Sequence, residues 1–253
     1  MSESVTQGSL STDAIHLATV KAVAQRPLSK QPEHLDIGSG QGDLIALMRH
    51  EFQSNSHACD YTDELMALDD VRVDVANLNT QPLPYPDARF QVVTCTEVIE
   101  HLENPRELIR QIHRVLQPNG QVVITTPNVL NLKSRIRYLF FGFFNLFGPL
   151  HFKESRLYSS GGHITPISAF YLVHALVDAG FSDIRLSIDK PQSTSRFWRF
   201  WLNPLIQLVA KGIRRTEVRR YHTIDDNNLP WVLWMNSADA MLGRTVVVSA
   251  CKP

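Results

Sequence analysis

The residues best suited to chemistry form a glycine-rich run that follows an acid. Asp36 precedes Gly38, Gly40 and Gly42 in an Asp-x-Gly-x-Gly-x-Gly pattern, and an apolar helical pattern begins at Leu44. Glycine permits positive φ and lets the backbone approach a ligand without an intervening Cβ. A helix that follows would point free N–H groups at that ligand. The run predicts a nucleotide-binding turn between a strand and a helix, with close helix–sheet packing as the alternative.

The spacing of these glycines differs from that of the dinucleotide fingerprint, which has two residues between its second and third glycines. An acid two residues before the first glycine suits a ligand with an ammonium group better than one with a pyrophosphate. The run therefore favours a ligand that carries an ammonium group.

A second group of polar residues, Glu97, Glu100 and His101, has the spacing i, i+3, i+4 and follows a predicted strand. If this run is helical, two carboxylates and an imidazole lie on one helix face. Such residues can move a proton, with His101 as a general base, or they can cap helices, form salt bridges and pack. The residues alone leave these roles open.

Alternating strands and helices would position both groups. The predicted strands cover residues 33–37, 57–60, 71–75, 89–95, 121–126, 184–188 and 245–250. The predicted helices cover residues 13–25, 44–52, 105–116 and 166–179, and residues 1–10 are expected to be disordered. This alternation predicts an α/β fold with a doubly wound, mostly parallel sheet of seven strands.

The charge of this 253-residue chain is unevenly distributed, although its formal net charge is zero. Residues 1–127 contain 9 Lys and Arg against 17 Asp and Glu, whereas residues 128–253 contain 16 against 8. The second half includes two aromatic and basic insertions after strands 5 and 6, at residues 128–165 and 190–241. They form either a small lid with its own core or a surface for an anionic or lipid-like partner.

The cysteine content indicates a reducing compartment, because Cys59, Cys95 and Cys251 are widely spaced and include no Cys-x-x-Cys pair. The sequence begins without the basic and apolar regions of a signal peptide. Its longest apolar run, residues 138–152, is too short and interrupted for a membrane span. We therefore expect a cytoplasmic protein that is soluble or peripheral to a membrane.

Taken in order, these motifs resemble those of class I S-adenosylmethionine-dependent methyltransferases, and they are most similar to the ubiquinone-biosynthesis O-methyltransferase type. The resemblance extends over about residues 30–190, with Gln91 as a departure where the family usually has Asp. The motifs that carry it are residues 35–42, Asp60, Asp74 with Val75, and residues 90–102, 116–120 and 126–128. It implies a Rossmann-like methyltransferase fold in one domain, residues 1–253, with an N-terminal helix region (1–30), a cofactor-binding half (31–127) and the two insertions as lid and acceptor segments.

The resemblance implies that S-adenosylmethionine binds at the carboxyl ends of the first four strands. The predicted roles are as follows: Gly38, Gly40 and Gly42 form the turn beneath the methionine part, Asp36 lies near its amino group, Asp60 accepts from the ribose hydroxyls, Asp74 and the Val75 backbone contact adenine, and Thr96 lines the methionine moiety. The alternative for Asp60 and Asp74 is that each is a turn acid that caps the next segment.

Some relatives resemble the pattern of Glu97, Glu100 and His101 and use it with a distant histidine to hold a divalent ion. The distant histidine here is predicted to be His163, with His151 as the second choice. Mg²⁺ or Zn²⁺ at this place would bind an acceptor hydroxyl and lower its pKa. A metal, a base at His101 and a purely structural cluster all remain open.

The resulting hypothesis is O-methylation of a small or lipid-like hydroxylated acceptor, with contact to a membrane surface. The lip of the acceptor site is predicted at residues 133–156 and 196–220. The alternatives are an RNA 2′-O-methyltransferase and a non-catalytic module that binds S-adenosylmethionine. Nucleic acid is the less favoured partner, because no RNA-binding motif is visible. The sequence leaves the oligomeric state undetermined.

Overall fold

A computed structural model describes residues 13–150 and 162–253 of the chain. Its centre is one seven-stranded sheet with the order β3-β2-β1-β4-β5-β7-β6. The strands are β1 (Glu33–Ile37), β2 (Asn55–Asp60), β3 (Val73–Val75), β4 (Phe90–Thr96), β5 (Leu116–Pro127), β6 (Ser182–Ile188) and β7 (Thr245–Cys251). β7 runs antiparallel to both β5 and β6, and the other paired strands are parallel. The predicted doubly wound, mostly parallel sheet is confirmed, while the expectations for residues 1–10 and His151 lie outside the described residues.

The described helices flank the sheet and fill the connections between strands. They are α1 (Asp13–Val23), α2 (Asp43–Phe52), α3 (Pro105–Val115), α4 (Leu132–Phe141), α5 (Ala169–Asp178), α6 (Ser193–Thr216), α7 (Leu229–Trp234) and α8 (Ala238–Leu242). A 3₁₀ turn covers Ile99–His101, and a π-helical turn, Glu217–Tyr221, continues α6. The start of α3 follows from its sequence, because the Asn104 side chain accepts from Glu107 N and Pro105 occupies the first helical turn.

The core lies on both faces of the sheet, since alternate residues of the central strands point in opposite directions. On one face, Val93 and Val122 pack with the buried residues of α3 and α5. On the other face, Val92, Val123 and Val247 pack with the buried residues of α1 and α2. The sheet is therefore a rigid platform covered by helices on both sides.

The starts of β5 and α5 lie furthest from the predicted residues. β5 starts at Leu116, which pairs with Phe90 before a register shift, whereas the predicted strand begins at residue 121, after the turn sequence Pro118-Asn119-Gly120. The turn is present as a local irregularity, because Asn119 has a φ of 63°. α5 starts at Ala169 and not at Pro166, because the amides of Ile164 and Thr165 bond to Glu100 O and hold the preceding chain extended.

Both insertions leave the sheet at one edge. β5 ends at Pro127, which pairs with Thr245 at the start of β7, and Ile188 at the end of β6 pairs with Val246. α4 follows β5 directly, and α6 to α8 connect β6 with β7. The carboxyl ends of the parallel strands β1, β2 and β4 lie at the same edge, which is where open α/β sheets bind ligands.

Candidate active site

The glycine turn at the end of β1 combines a packing constraint with an open surface. Gly38 has a φ of +74°, and a Cβ built on it would lie 2.2 Å from Val98 Cγ2, so packing alone requires glycine there. A Cβ built on Gly40, whose φ is +49°, would meet no atom within 4 Å. Gly42 caps α2 in the left-handed conformation. Of the three predicted glycines, Gly40 is therefore the one that faces open space.

Asp60, at the end of β2, fastens this turn. Its Oδ2 accepts from Gly40 N at 2.8 Å, and its Oδ1 accepts from Tyr61 N at 2.7 Å. Burial raises the pKa of the Asp60 carboxyl, while hydrogen bonds from the backbone amides oppose the rise. Asp60 thus has the turn-acid role that was the alternative in the sequence. The backbone amide of Thr62 also bonds to this carboxylate, which leaves one acceptor position for a ligand hydroxyl.

Asp36 lies in a buried polar chain that crosses β1, β4 and β2. Thr94 Oγ1 donates to Asp36 Oδ1 at 2.7 Å, and His34 Nε2 lies 2.8 Å from the same hydroxyl. His34 Nδ1 lies 2.9 Å from Ser56 Oγ. Burial raises the pKa of Asp36 to about 7, against the lowering effect of the Thr94 hydrogen bond. Asp36 therefore has a partner within the fold, and its contact with a ligand ammonium group stays a prediction.

Two buried hydroxyls near the glycine turn have no hydrogen-bond partner among the described residues. They are Ser39 Oγ, between the glycines, and Thr96 Oγ1, at the end of the neighbouring strand β4. Buried polar groups are normally hydrogen-bonded, so an unpaired pair beside an open turn indicates a place for a polar ligand. Sequence reasoning selected Thr96 and missed Ser39, although its position inside the glycine run was a usable signal.

A cavity of about 600 Å³ opens beside β3, where the sequence predicts the adenine contacts. Its lining includes Asp74 and Val75, together with the apolar side chains of Met66 and Leu68. This volume is in the range of small-molecule sites. Gly40 and Asp60 do not line it, so the cavity covers the β3 end of the predicted site and the open glycine turn forms a separate part.

Glu100 anchors a second cluster of polar groups after β4. Its side chain is fully buried, one carboxylate oxygen accepts from Thr126 Oγ1 at 3.1 Å, and the other has no partner among the described residues. Its backbone oxygen accepts from Ile164 N (2.9 Å) and Thr165 N (3.0 Å), which holds His163 over this site. Burial raises the pKa of the Glu100 carboxyl well above its usual value, and the charge of Glu97 adds to the rise.

Two histidines complete the cluster with defined tautomers. His101 Nδ1 lies 3.2 Å from Gly162 O, and His163 Nδ1 lies 2.9 Å from Leu146 O. A carbonyl oxygen only accepts, so each Nδ1 carries the hydrogen and each neutral ring keeps a lone pair on Nε2. Burial lowers the pKa of His101 to about 4, helped by the neighbouring His163, and burial also lowers the pKa of His163. Both rings are therefore neutral near neutral pH.

Ligand atoms of Glu100, His101 and His163 all lie within 4.8 Å of one another. One carboxylate oxygen and two imidazole nitrogens form a donor set that suits a divalent transition metal and leaves coordination positions open. Hydrogen bonds from Nδ1–H to backbone carbonyls are also the usual support for metal-binding histidines. The donor chemistry therefore fits a metal ion, and the distant histidine of the cluster is His163.

Glu97 does not belong to this three-residue cluster. Its φ is +54°, so the expected helical face is wrong, and only Ile99–His101 forms a short 3₁₀ turn. The Glu97 carboxylate accepts from Thr125 Oγ1 at 3.1 Å. Burial raises the pKa of Glu97 to about 7, while Thr125 and Arg244 lower it. Glu97 therefore lies outside the donor set of Glu100, His101 and His163, although its charge acts on Glu100.

The glycine turn, the cavity and the cluster all lie at the carboxyl edge of the sheet, and known proteins share this framework. A family model described as a methyltransferase domain matches residues 14–186. A probable S-adenosylmethionine-dependent methyltransferase of Mycobacterium tuberculosis is 29% identical over 183 residues, which cover 68% of this chain and 56% of that protein. The chain thus matches just over half the length of this relative.

Two further comparisons define how far the likeness extends. A ubiquinone biosynthesis O-methyltransferase of Pseudomonas paraeruginosa is 32% identical over 108 residues, which cover 43% of this chain and 39% of that enzyme. A solved structure of an S-adenosylmethionine-dependent methyltransferase from Archaeoglobus fulgidus has a TM-score of 0.56 at 16% identity and covers 93% of each chain. The ubiquinone-type similarity is therefore partial, while the fold agrees over nearly the whole length. The chain belongs to the family of methyltransferase domains.

Proposed function

We propose that this protein transfers a methyl group from S-adenosylmethionine to an oxygen atom of a small or lipid-like hydroxylated acceptor. The observation that carries the proposal is the position of an open glycine turn and a carboxylate–imidazole cluster at one edge of one sheet. Family membership supports methyl transfer, and the printed names of the relatives support S-adenosylmethionine as the donor. The partial similarity to ubiquinone biosynthesis O-methyltransferases supports an oxygen acceptor.

The residues of the glycine turn fit the proposed cofactor. Gly40 leaves room for the methionine part, and the unpaired hydroxyls of Ser39 and Thr96 offer it hydrogen bonds. Asp60 holds Gly40 in place, and the remaining acceptor position of its carboxylate can bond a ribose hydroxyl. Asp74 lines the cavity beside β3, at the place proposed for adenine. When bound, S-adenosylmethionine supplies an electrophilic methyl group on a sulfonium centre.

The cluster of Glu100, His101 and His163 would orient the acceptor and help to remove its proton. Each imidazole keeps an Nε2 lone pair, and one ligand atom each from Glu100, His101 and His163 lies within 4.8 Å of the other two. We propose that these three atoms hold Mg²⁺ or Zn²⁺, which would lower the pKa of an acceptor hydroxyl. The protein's part is to fix the three donors, to keep both rings in the Nε2-lone-pair tautomer and to exclude water.

A methyl-transfer assay tests the catalytic proposal. The whole protein is incubated with S-adenosylmethionine labelled in its methyl group and with separate lipid, small-molecule and RNA extracts, and labelled products are identified by mass spectrometry. A labelled methyl ether in the lipid or small-molecule extract is the expected result. Label in RNA alone would replace the proposal with an RNA methyltransferase, and label in no fraction would reject the catalytic proposal.

The proposed metal site is tested by measuring the metal content of the wild type and of variants. His50→Ala is the matched control, because His50 is an exposed histidine on α2. After dialysis against Zn²⁺ or Mg²⁺ and then buffer, the wild type and His50→Ala are expected to retain about one metal ion each. Glu100→Gln and His163→Ala should lose it while they still bind S-adenosylmethionine. Equal metal content in all four proteins, or none in the wild type, would leave proton removal to His101 alone.

A further inference from the structure

α6 exposes its apolar residues to solvent, which reverses the usual arrangement of a helix packed on a core. Phe197, Trp201, Leu205 and Leu208 recur at spacings of three or four residues and so share one helix face. These side chains are 59% to 71% exposed, whereas Ser195 of the same helix is buried. In α3, by contrast, the apolar positions are the buried ones. The sequence pattern of α6 is therefore amphipathic, but its apolar face is not used for folding.

α4 adds a second set of exposed apolar side chains. Leu139, Phe140 and Phe141, at its C-terminal end, are 76%, 82% and 58% exposed. α4 packs against α6. The helices are also joined through one residue, since Arg135 Nη1 donates to Asn236 Oδ1 at 2.7 Å and Gln207 Nε2 donates to Asn236 O at 3.0 Å.

We call these exposed residues of the two neighbouring helices the aromatic face. Its members are residues 139–141 of α4 and Phe197, Trp198, Phe200, Trp201, Leu205 and Leu208 of α6. Large exposed apolar side chains gathered on neighbouring helices are typical of sites that contact a partner or a membrane. The idea of a small lid with its aromatics in a private core is thus wrong for these residues.

Cations without carboxylate partners accompany the aromatic face. Residues 132–150 and 193–221 contain ten Lys and Arg but one acid, Glu217. Within the described ranges, no ion pair involves any of these ten cations. Lys211, Arg215 and Arg219 are exposed. Aromatic side chains beside Lys and Arg match the two layers of a lipid interface, where acyl chains lie beneath anionic head groups.

We propose that the aromatic face docks on an anionic lipid bilayer, with its rings in the head-group layer and its cations on lipid phosphates. None of the helices in the described part of the chain is long and apolar enough to cross a bilayer, so the contact would lie at the surface. The charge complementarity favours anionic lipid over a symmetric contact with the same face of a second copy, which would bring like charges together.

The aromatic face lies next to the candidate active site. The chain continues from α4 to Phe147, whose ring centroid lies 5.3 Å from that of His163, and Leu146 O accepts from the His163 ring. This part of the inference rests on the proposed function: an amphipathic acceptor would pass from the bilayer directly to the cluster. The docking itself does not depend on methyl transfer.

The test is co-sedimentation of the whole protein with phospholipid vesicles. Vesicles of phosphatidylcholine alone are compared with vesicles that also contain phosphatidylglycerol, at low and at high salt. We expect binding to the anionic vesicles at low salt and release at high salt, because salt screens exposed charges. Lys211→Glu/Arg215→Glu should weaken the binding, and Phe200→Ser/Trp201→Ser should reduce it about tenfold or more.

Tyr171→Ser/Val177→Ser is the matched control, since these α5 side chains are 62% and 57% exposed but lie outside the aromatic face. It should bind vesicles like the wild type. Equal binding by both double serine variants, or no binding of the wild type to anionic vesicles at low salt, would overturn the proposal. So would a lipid-free dimer in sedimentation velocity that Phe200→Ser/Trp201→Ser dissociates. Titration of the same variants with S-adenosylmethionine in lipid-free solution reports on the proposed function separately.

Discussion

At the scale of single residues, His34 is the side chain whose environment is most completely defined. Thr94 Oγ1 donates to Asp36, so it accepts from His34 Nε2–H, and His34 Nδ1 accepts from the Ser56 hydroxyl. Burial lowers the pKa of His34 to about 3, from 6.5 in an unfolded chain. The folded protein therefore keeps this imidazole neutral in mild acid, whereas the unfolded chain protonates it.

This difference predicts a loss of stability in acid that depends on His34. Between pH 6.5 and about 3 the unfolded state binds more protons at this residue, so the stabilisation falls as pH drops through 6.5. The loss at pH 5 is about 2 kcal/mol. The raised pKa of Asp36 has the opposite effect on stability in acid, and Asp36 is present in both the wild type and His34→Gln. The free energy of unfolding of these two proteins is therefore compared by urea titration across this pH range. As the pH falls, the difference in the free energy of unfolding between the wild type and the variant should shrink. A difference that stays constant with pH would contradict the prediction.

The sequence identified most residues of the candidate site but not their individual contacts. The alternation of glycines selects both Gly38 and Gly40. Only the structure shows that Gly38 packs against Val98, whereas Gly40 faces open space. The spacing of Glu97 and Glu100 predicted one helical face, but a φ of +54° at Glu97 separates their directions. Such backbone choices depend on tertiary contacts that a local pattern does not contain.

At the scale of elements, Asn128 ties the exit of β5 to the entrance of β7. Its Nδ2 donates to Ala240 O at 2.8 Å and to Gly243 O at 3.0 Å, and its Oδ1 accepts from Leu130 N at 2.9 Å. The side chain is buried. The side-chain amide of Asn128 thus fixes the segment that leads into α4 and the end of α8.

Asn128→Ala should therefore destabilise the protein by about 3 kcal/mol, because two buried carbonyls and one part-buried amide lose their partner. Asn55→Ala is the matched control, since the exposed Asn55 side chain makes one hydrogen bond, to Glu33. Asn55→Ala should lower the free energy of unfolding by less than about 1 kcal/mol. Both values come from urea unfolding, and similar losses in the two variants would show that Asn128 does not join these elements.

Elements with strong local signals were predictable, and those set by distant contacts were not. β1 begins and ends where the sequence predicts, because apolar residues before a glycine turn define it. The start of α5 was missed, since it depends on hydrogen bonds from residues 164 and 165 to Glu100. For α6 the sequence predicts only an aromatic and basic segment, because the apolar face of this helix does not pack on the core.

At the scale of the whole molecule, the proposed cofactor site is assembled from segments that are distant in sequence. Gly40 follows β1, Asp60 ends β2, Asp74 lies in β3 and Thr96 ends β4. Only the parallel sheet brings these four positions to one edge. The division into a cofactor-binding half and acceptor insertions remains a prediction, as do the ligand contacts of these residues.

Isothermal titration calorimetry with S-adenosylmethionine tests this central claim most directly. It compares two alanine variants whose substitutions cause similar backbone strain. Gly40 and Gly142 both have positive φ, and a Cβ on either meets no atom within 4 Å, so each substitution costs about 1 kcal/mol in strain without a clash. The account predicts one binding site of equal affinity in the wild type and Gly142→Ala, and binding at least about tenfold weaker in Gly40→Ala. Equal affinity in all three proteins, or no binding by the wild type, would contradict it.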